Sequence, residues 1–228
     1  MTLEDIISDV CRQTRESAKP LARAGSDMRT AVLKTLAKNV RNDASAILEA
    51  NEQDLAFGRA NGLSAAMMDR LKLDTNRLEN LVQSIEEIAK LKDPVGETAE
   101  SWTRPNGLEV KRLRLPLGVI MMIYESRPNV TIDAAALCIR SGNATILRGG
   151  TEAQHTNRVL ASCVQDALEA HGLPRNAVTL VPSQDRQAID LLLNQSDFID
   201  LVIPRGGEGL IRRVVEKSRI PVIQHYKG

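Results

Sequence analysis

The stretch PLGVIMMIYESRPNVTIDAAALCIRSGNATILRGG, residues 116–150, decides how the rest of the chain is read. Residues 119–123 form a continuous apolar run, as a parallel strand buried on both faces requires. Residues 124–129 then gather a hydroxyl, a carboxylate, a guanidinium and an amide where that strand must end. Alanines and larger apolar side chains near helical spacing fill 131–141, Ser141-Gly142-Asn143 stops the helix, and 144–147 is a second short strand. Arg148-Gly149-Gly150 follows at once. Strand, helix and strand at this length make a βαβ unit, and ligands of open α/β sheets collect at the carboxyl ends of the strands.

Downstream, the same alternation continues. Residues 151–171 read as a helix with Val159, Leu160, Cys163, Val164 and Leu168 inward, followed by a strand at 178–181 and a short helix at 185–193. A strand at 198–203, a helix at 209–217 and a last strand at 220–223 complete the pattern. The expected fold is α/β: a parallel nucleotide-binding sheet with helices on both faces. Upstream, the apolar spacing predicts amphipathic helices at 3–18, 26–50 and 75–91, with Pro20 and Gly25 as punctuation between the first two. Asn61-Gly62 and Asp74-Thr75 mark further breaks, and Asp93-Pro94-Val95-Gly96 ends the helical part. Pro105-Asn106-Gly107 between two extended runs, 101–104 and 108–115, predicts a β-hairpin. Its second arm keeps neither face apolar, so the ribbon is either exposed or paired with another chain. The division is therefore 1–100, helices packing on the nucleotide-binding domain; 101–115, an exposed ribbon; and 116–228, a Rossmann-like domain.

With 228 residues the chain is long enough for a sizeable core. Thirty basic against twenty-nine acidic residues and 2% aromatics argue against a nucleic-acid partner. Cys11, Cys138 and Cys163 lack CxxC spacing, which fits a reducing compartment and a cytoplasmic location. No apolar run reaches the roughly 20 residues that span a bilayer, and Glu4 and Asp5 occupy the place of a basic leader, so neither membrane insertion nor secretion is expected. No metal-ligand spacing stands out.

Four strand ends share one edge in this topology: 124–129, 148–151, 182–185 and 204–207. Glycine turns before a helix suit phosphate, because backbone N–H groups can approach it and the helix dipole favours the anion. Gly206-Gly207 fits that description, and equally an ordinary tight turn; no GxGxxG follows the first strand. Arg148 either holds a phosphate with its fork of donors or sits in a surface ion pair. Asn129 either donates to a developing oxyanion or caps the following helix, a task for which Thr131 is equally apt. Glu125 and Arg127 either contact a substrate or pair with each other. The three cysteines read as buried structural thiols, and His225 has no partner in a recognisable catalytic arrangement.

YESRPNVT, the SGN turn, ILRGG and Ile203-Pro204-Arg205-Gly206-Gly207 resemble, in order and spacing, the gamma-glutamyl phosphate reductase family of the aldehyde dehydrogenase superfamily. The resemblance implies NADPH-dependent reduction of L-glutamyl 5-phosphate to L-glutamate 5-semialdehyde in proline biosynthesis. It implies that Arg205, Gly206 and Gly207 lie by the cofactor pyrophosphate and that Pro182 and Ser183 lie near the adenine. Arg148 and Gly149 would stand where relatives hold the adenosine ribose, an arginine being compatible with the 2'-phosphate of NADP(H). Asn129 would supply part of the oxyanion hole, while Glu125 and Arg127 would meet the amino-acid substrate. In the family the ribbon takes part in oligomer contacts, which implies a homo-oligomer, and association with glutamate 5-kinase belongs to the same expectation. The nucleophilic cysteine belongs to a separate catalytic domain with a segment of the kind RPSTCN; none occurs here, so the chain is expected to be a truncated, inactive part. Two alternatives stand beside this: another aldehyde or acyl-phosphate dehydrogenase of the superfamily, and a non-enzymatic nucleotide-binding or assembly module.

Overall fold

A computed structural model of the protein describes residues 1–224. Its centre is a parallel sheet of β3 (Val119–Tyr124), β4 (Ala144–Arg148), β5 (Val178–Leu180) and β6 (Leu201–Arg205) in the spatial order β5-β4-β3-β6. The chain walks outward from β3 to β5 and then returns to pair β6 on the other side of β3. That reversal is a topological switch point, and it lies between the ends of β3 and β6. The register sets Tyr124 beside Arg205 and Ile123 beside Pro204. The strand expected at 220–223 is reduced to a single parallel bridge between Val202 and Val222. His225 lies outside the described residues.

Alternation along β3 divides the core into two layers, because successive side chains leave a strand on opposite faces. Val119, Met121 and Ile123 join a cluster with α1 (Leu3–Arg23), α8 (Gln187–Leu192) and α9 (Glu208–Lys217). Met122 and Tyr124 face the other layer, built from α2 (Ser26–Asn42), α5 (Thr75–Lys90), α6 (Asn129–Arg140) and α7 (Gln154–Glu169). Each fully buried aliphatic side chain in these layers, such as Ile7, Leu36 or Ile85, contributes about 1.5–3 kcal/mol relative to an exposed one. Of the amino-terminal helices, α1 packs directly on the sheet, while α2 and α5 lie over α6 and α7 on its other face.

Two expectations about those helices need correction. The helix read as 26–50 is two, α2 and α3 (Ala44–Ala60), with a break at Asp43, where φ −92° and ψ 13° interrupt the ladder. Pro20 does not end the first helix; α1 runs on to Arg23, and its next residue, Ala24, donates back to Pro20 and Leu21. A seven-residue helix, α4 (Ala65–Leu71), had no expectation at all.

Polar ties hold the helices to one another and to the start of β3. Arg29, 2% exposed, pairs with Asp93 at 2.5 Å, and Arg140 donates to the Thr30 hydroxyl at 2.8 Å. Asp54 of α3 accepts from the backbone N–H groups of His155 and Thr156 at 3.1 and 2.8 Å and from the Thr156 hydroxyl at 2.6 Å. It caps α7, which has no capping side chain of its own. Below β3, Asp200 accepts from Val119 N–H at 2.7 Å and from Arg15 at 2.8 Å, across the backbone of Gly118 at φ +126°. The hairpin of β1 (Thr98–Thr103) and β2 (Glu109–Leu113) is antiparallel and projects outward, with Trp102, Leu108 and Leu113 exposed.

Candidate functional site

The ends of β3 and β6 open onto a crevice, as the sheet order requires. Glu125 Oε2 accepts the backbone N–H of Gly207, which opens α9, at 3.0 Å. A Cβ at Gly206 would stand 2.4 Å from Glu125 Oε2 and 2.7 Å from Leu210 Cδ2, so a side chain there must displace the ends of Glu125 and Leu210. Of the two readings open for Glu125 and Arg127, their mutual ion pair does not form among the described residues; Glu125 turns to the glycine turn instead. Ser126 sits at φ +48°, a left-handed conformation uncommon outside glycine, and its N–H and hydroxyl both donate to Glu152 Oε1 at 2.6 and 2.8 Å.

Arg148 is 5% exposed and makes no ion pair among the described residues, which speaks against the surface-pair alternative. Its guanidinium donates to the carbonyls of Gly149 and, at 3.0 Å, Gln184, while its Nε is buried without a hydrogen-bond partner. Burial lowers its pKa, opposed by the charges of Glu152, Tyr124 and Asp185. Arg148, Glu125, Ser126, Arg186 and Arg213 line one cavity of about 470 Å³. Gly149 packs beneath it, a Cβ there meeting Asn157 and Tyr124. The Tyr124 phenol shares a hydrogen bond with the Thr131 hydroxyl at 2.7 Å, and burial pushes its pKa upward. Thr131 is therefore occupied, and Thr131 in turn donates to Asn157 at 2.9 Å.

Arg205, Gly206 and Gly207 line an adjoining depression of about 690 Å³ with Arg127 and Arg70. Pro182 borders a different one, of about 240 Å³, beside Gln154 and Arg158, and the Ser183 hydroxyl accepts from Asp185 N–H at 3.1 Å. Asn129 does not cap α6. Pro128 holds the N-cap position, and the Asn129 amide donates to Asp133 Oδ2, one turn on, at 3.0 Å. Asn129 and Arg127 share a cavity of about 380 Å³ with Asp133 and Ser84. Burial raises the Asp133 carboxyl pKa; hydrogen bonds from Asn129 and Ser84 and the charge of Arg205 oppose this.

Ser126, Glu152, Arg186 and Asp133 had no place among the sequence-derived site residues. Asp133 was accessible to reading, lying four residues after Asn129 in an otherwise apolar helix. Glu152 was not, because its partner is reached only by folding β4 beside β3. Burial pushes Cys11, Cys138 and Cys163 to about 12 each, with Asp43 adding to the rise at Cys163. All three are buried and none lines the cavities described above. Among the described residues no helix is long and apolar enough to cross a membrane.

Residues 4–225 match the family model described as "Aldehyde dehydrogenase family". The gamma-glutamyl phosphate reductase of Desulforapulum autotrophicum is 51% identical over all 228 residues, which cover 54% of its length. The crystal structure of the Thermotoga maritima gamma-glutamyl phosphate reductase superposes with a TM-score of 0.95 at 35% identity, over 97% of this chain and 54% of that one. The Saccharomyces cerevisiae counterpart gives 0.89 at 34%, over 97% and 56%. The chain spans about half the length of the curated relatives it matches. It belongs to the aldehyde dehydrogenase family.

Proposed function

We propose that the protein these residues belong to converts L-glutamyl 5-phosphate, NADPH and a proton into L-glutamate 5-semialdehyde, phosphate and NADP⁺, in proline biosynthesis. The similarity to gamma-glutamyl phosphate reductases supports the reaction. One observation carries the role of this chain: a glycine turn opening α9 faces Arg148 across the switch point, with Glu125 and Ser126 between them.

The residues present fit a dinucleotide phosphate. The α9 amino terminus at Gly207 favours an anion, and the Glu125 carboxylate that accepts from Gly207 N–H now holds the place a phosphate would take. Arg148 has a buried Nε without a partner, and Arg186 and Arg213 add positive charge to the same cavity. Arg148 and Arg186 are the residues proposed for the 2'-phosphate, Arg205 to Gly207 for the pyrophosphate, and Pro182 and Ser183 for the adenine side. The nicotinamide ring, when bound, supplies a hydride. Asn129 retains a second amide hydrogen beyond the one given to Asp133, and in this reading it donates to the carbonyl oxygen as negative charge develops there. The attacking thiolate comes from outside these residues, because the three thiols present are buried and held protonated. The exposed ribbon, with Trp102 and Leu108 uncovered, is the proposed contact between copies.

Calorimetric titration with NADPH and NADH tests the cofactor assignment. NADPH is expected to bind at least tenfold more tightly, and Arg148→Lys, which keeps the charge but not the fork, to lose most of that preference. Equal affinities for the two cofactors, or an unchanged preference in the variant, overturn it.

A further inference from the structure

Asp133 occupies an unusual place for a carboxylate. It lies in α6, between Ile132 and Ala134, both buried. Its two oxygens receive neutral donors only: the Asn129 amide at 3.0 Å and the Ser84 hydroxyl of α5 at 3.3 Å. Among the described residues it forms no ion pair. An ionised carboxylate offers about four acceptor sites, so roughly half of them stay open, in partly desolvated surroundings where an unmatched charge is costly.

The cavity beside it carries the opposite charge. Arg70 and Arg127 line the same 380 Å³ space, and among the described residues neither makes an ion pair or a side-chain hydrogen bond. Arg77, by contrast, is tied to Asp69 at 2.6 Å and to the Lys72 carbonyl at 2.9 Å. Arg70 and Arg127 also stand in the wall of the depression that leads to Gly206 and Gly207. The two spaces share Arg70 and Arg127 as lining; the first presents a carboxylate beside these two guanidinium groups, and the second borders the amino terminus of α9. The zwitterionic end of an amino acid has the pattern complementary to the carboxylate and its two guanidinium neighbours.

We propose that Asp133 is the residue that recognises the α-ammonium group of an amino-acid substrate, with Arg127 and Arg70 holding its α-carboxylate. The proposal rests on the reaction assigned above and adds its specificity determinant: Asn129 and Ser84 fix the carboxylate, and the substrate's ammonium completes its coordination. The distal acyl end then lies within reach of Asn129, the donor assigned to its carbonyl oxygen. A dicarboxylate of equal length without the ammonium leaves Asp133 unmatched and sets a second negative charge near it, so the groove discriminates against it.

The test uses the 228-residue chain and three probes followed by NMR titration: L-glutamate, glutarate, which lacks the ammonium, and 4-aminobutyrate, which lacks the α-carboxylate. Saturable binding of L-glutamate is expected, at least tenfold tighter than either analogue, the margin of one charge-assisted contact. Asp133→Asn, which keeps the shape, is expected to bring L-glutamate down to the level of glutarate and to leave NADPH binding unchanged. No saturable binding of L-glutamate, equal binding of L-glutamate and glutarate by the wild-type chain, or an unchanged ratio in the variant overturns the proposal. The wild-type ratio decides even where the variant folds poorly. Failure of NADPH to bind, with the amino-acid preference intact, would instead count against the cofactor assignment alone.

Discussion

Glu125 and Gly207, eighty-two residues apart, are joined by a 3.0 Å hydrogen bond that puts a carboxylate on the amino terminus of α9. The side chain occupies the position to which a bound phosphate is assigned, and it must leave for one to enter. Replacing Glu125 by alanine removes both the competition and a local negative charge. With a surface helix terminus contributing about 0.3–1 kcal/mol to a bound anion, NADPH affinity is expected to rise roughly two- to fivefold in Glu125→Ala. Calorimetry checks this; weaker binding in the variant would assign Glu125 a direct contact with the ligand instead.

Gly118 should tolerate no side chain. Its φ of +126° disfavours L residues, and a Cβ would stand 2.1 Å from Asp200 Oδ2, the atom that accepts from Val119 N–H and Arg15. Gly118→Ala must displace that carboxylate from the start of β3. A loss of at least about 3 kcal/mol is expected in urea unfolding. A loss below about 1 kcal/mol would mean that the turn rearranges freely.

Asp54→Ala is expected to cost about 2–4 kcal/mol, because three donors of the first turn of α7 lose their acceptor in a site where Asp54 is 1% exposed. Asp54→Asn retains one acceptor oxygen and should lose about half as much. Thermal melts of the two variants decide it, and equal losses would show that charge, not hydrogen bonding, caps the helix.

The buried thiols make stability fall in alkali. Below about pH 9, the ordinary thiol value, both folded and unfolded chains keep these protons, and the contribution is complete. Above it the unfolded chain releases them while the folded chain holds them up to about 12, so folding weakens as pH rises. Three thiols correspond to a slope on the order of 4 kcal/mol per pH unit between those limits. Urea unfolding at pH 8 and pH 10 should show it. A variant with alanine at Cys11, Cys138 and Cys163 should show a shallower slope, and identical slopes would contradict the assignment.

The sheet was legible because its strands are apolar runs closed by chemistry-bearing turns. Residues 119–123, 131–141 and 144–147 were read close to the observed β3, α6 and β4. The break at Asp43 escaped because the apolar period of Val32, Leu36 and Val40 continues through Ile47 with no glycine or proline to interrupt it. Pro20 misled for the opposite reason: near a helix end, only one ladder hydrogen bond is lost to proline, and the burial of Leu21 outweighs it. In the site, local sequence placed Glu125 beside Arg127, whereas the fold gives Glu125 to Gly207 and Ser126 to Glu152. Those pairings depend on which strand returns beside β3, and no short-range pattern encodes that return.

The clamp of Asp54 on α7 also fixes an order of events in time. The acceptor is synthesised about a hundred residues before the donors it serves, since Asp54 and Thr156 stand 102 positions apart. Translation therefore supplies the acceptor first, and α7 can gain its cap only once Thr156 has been made.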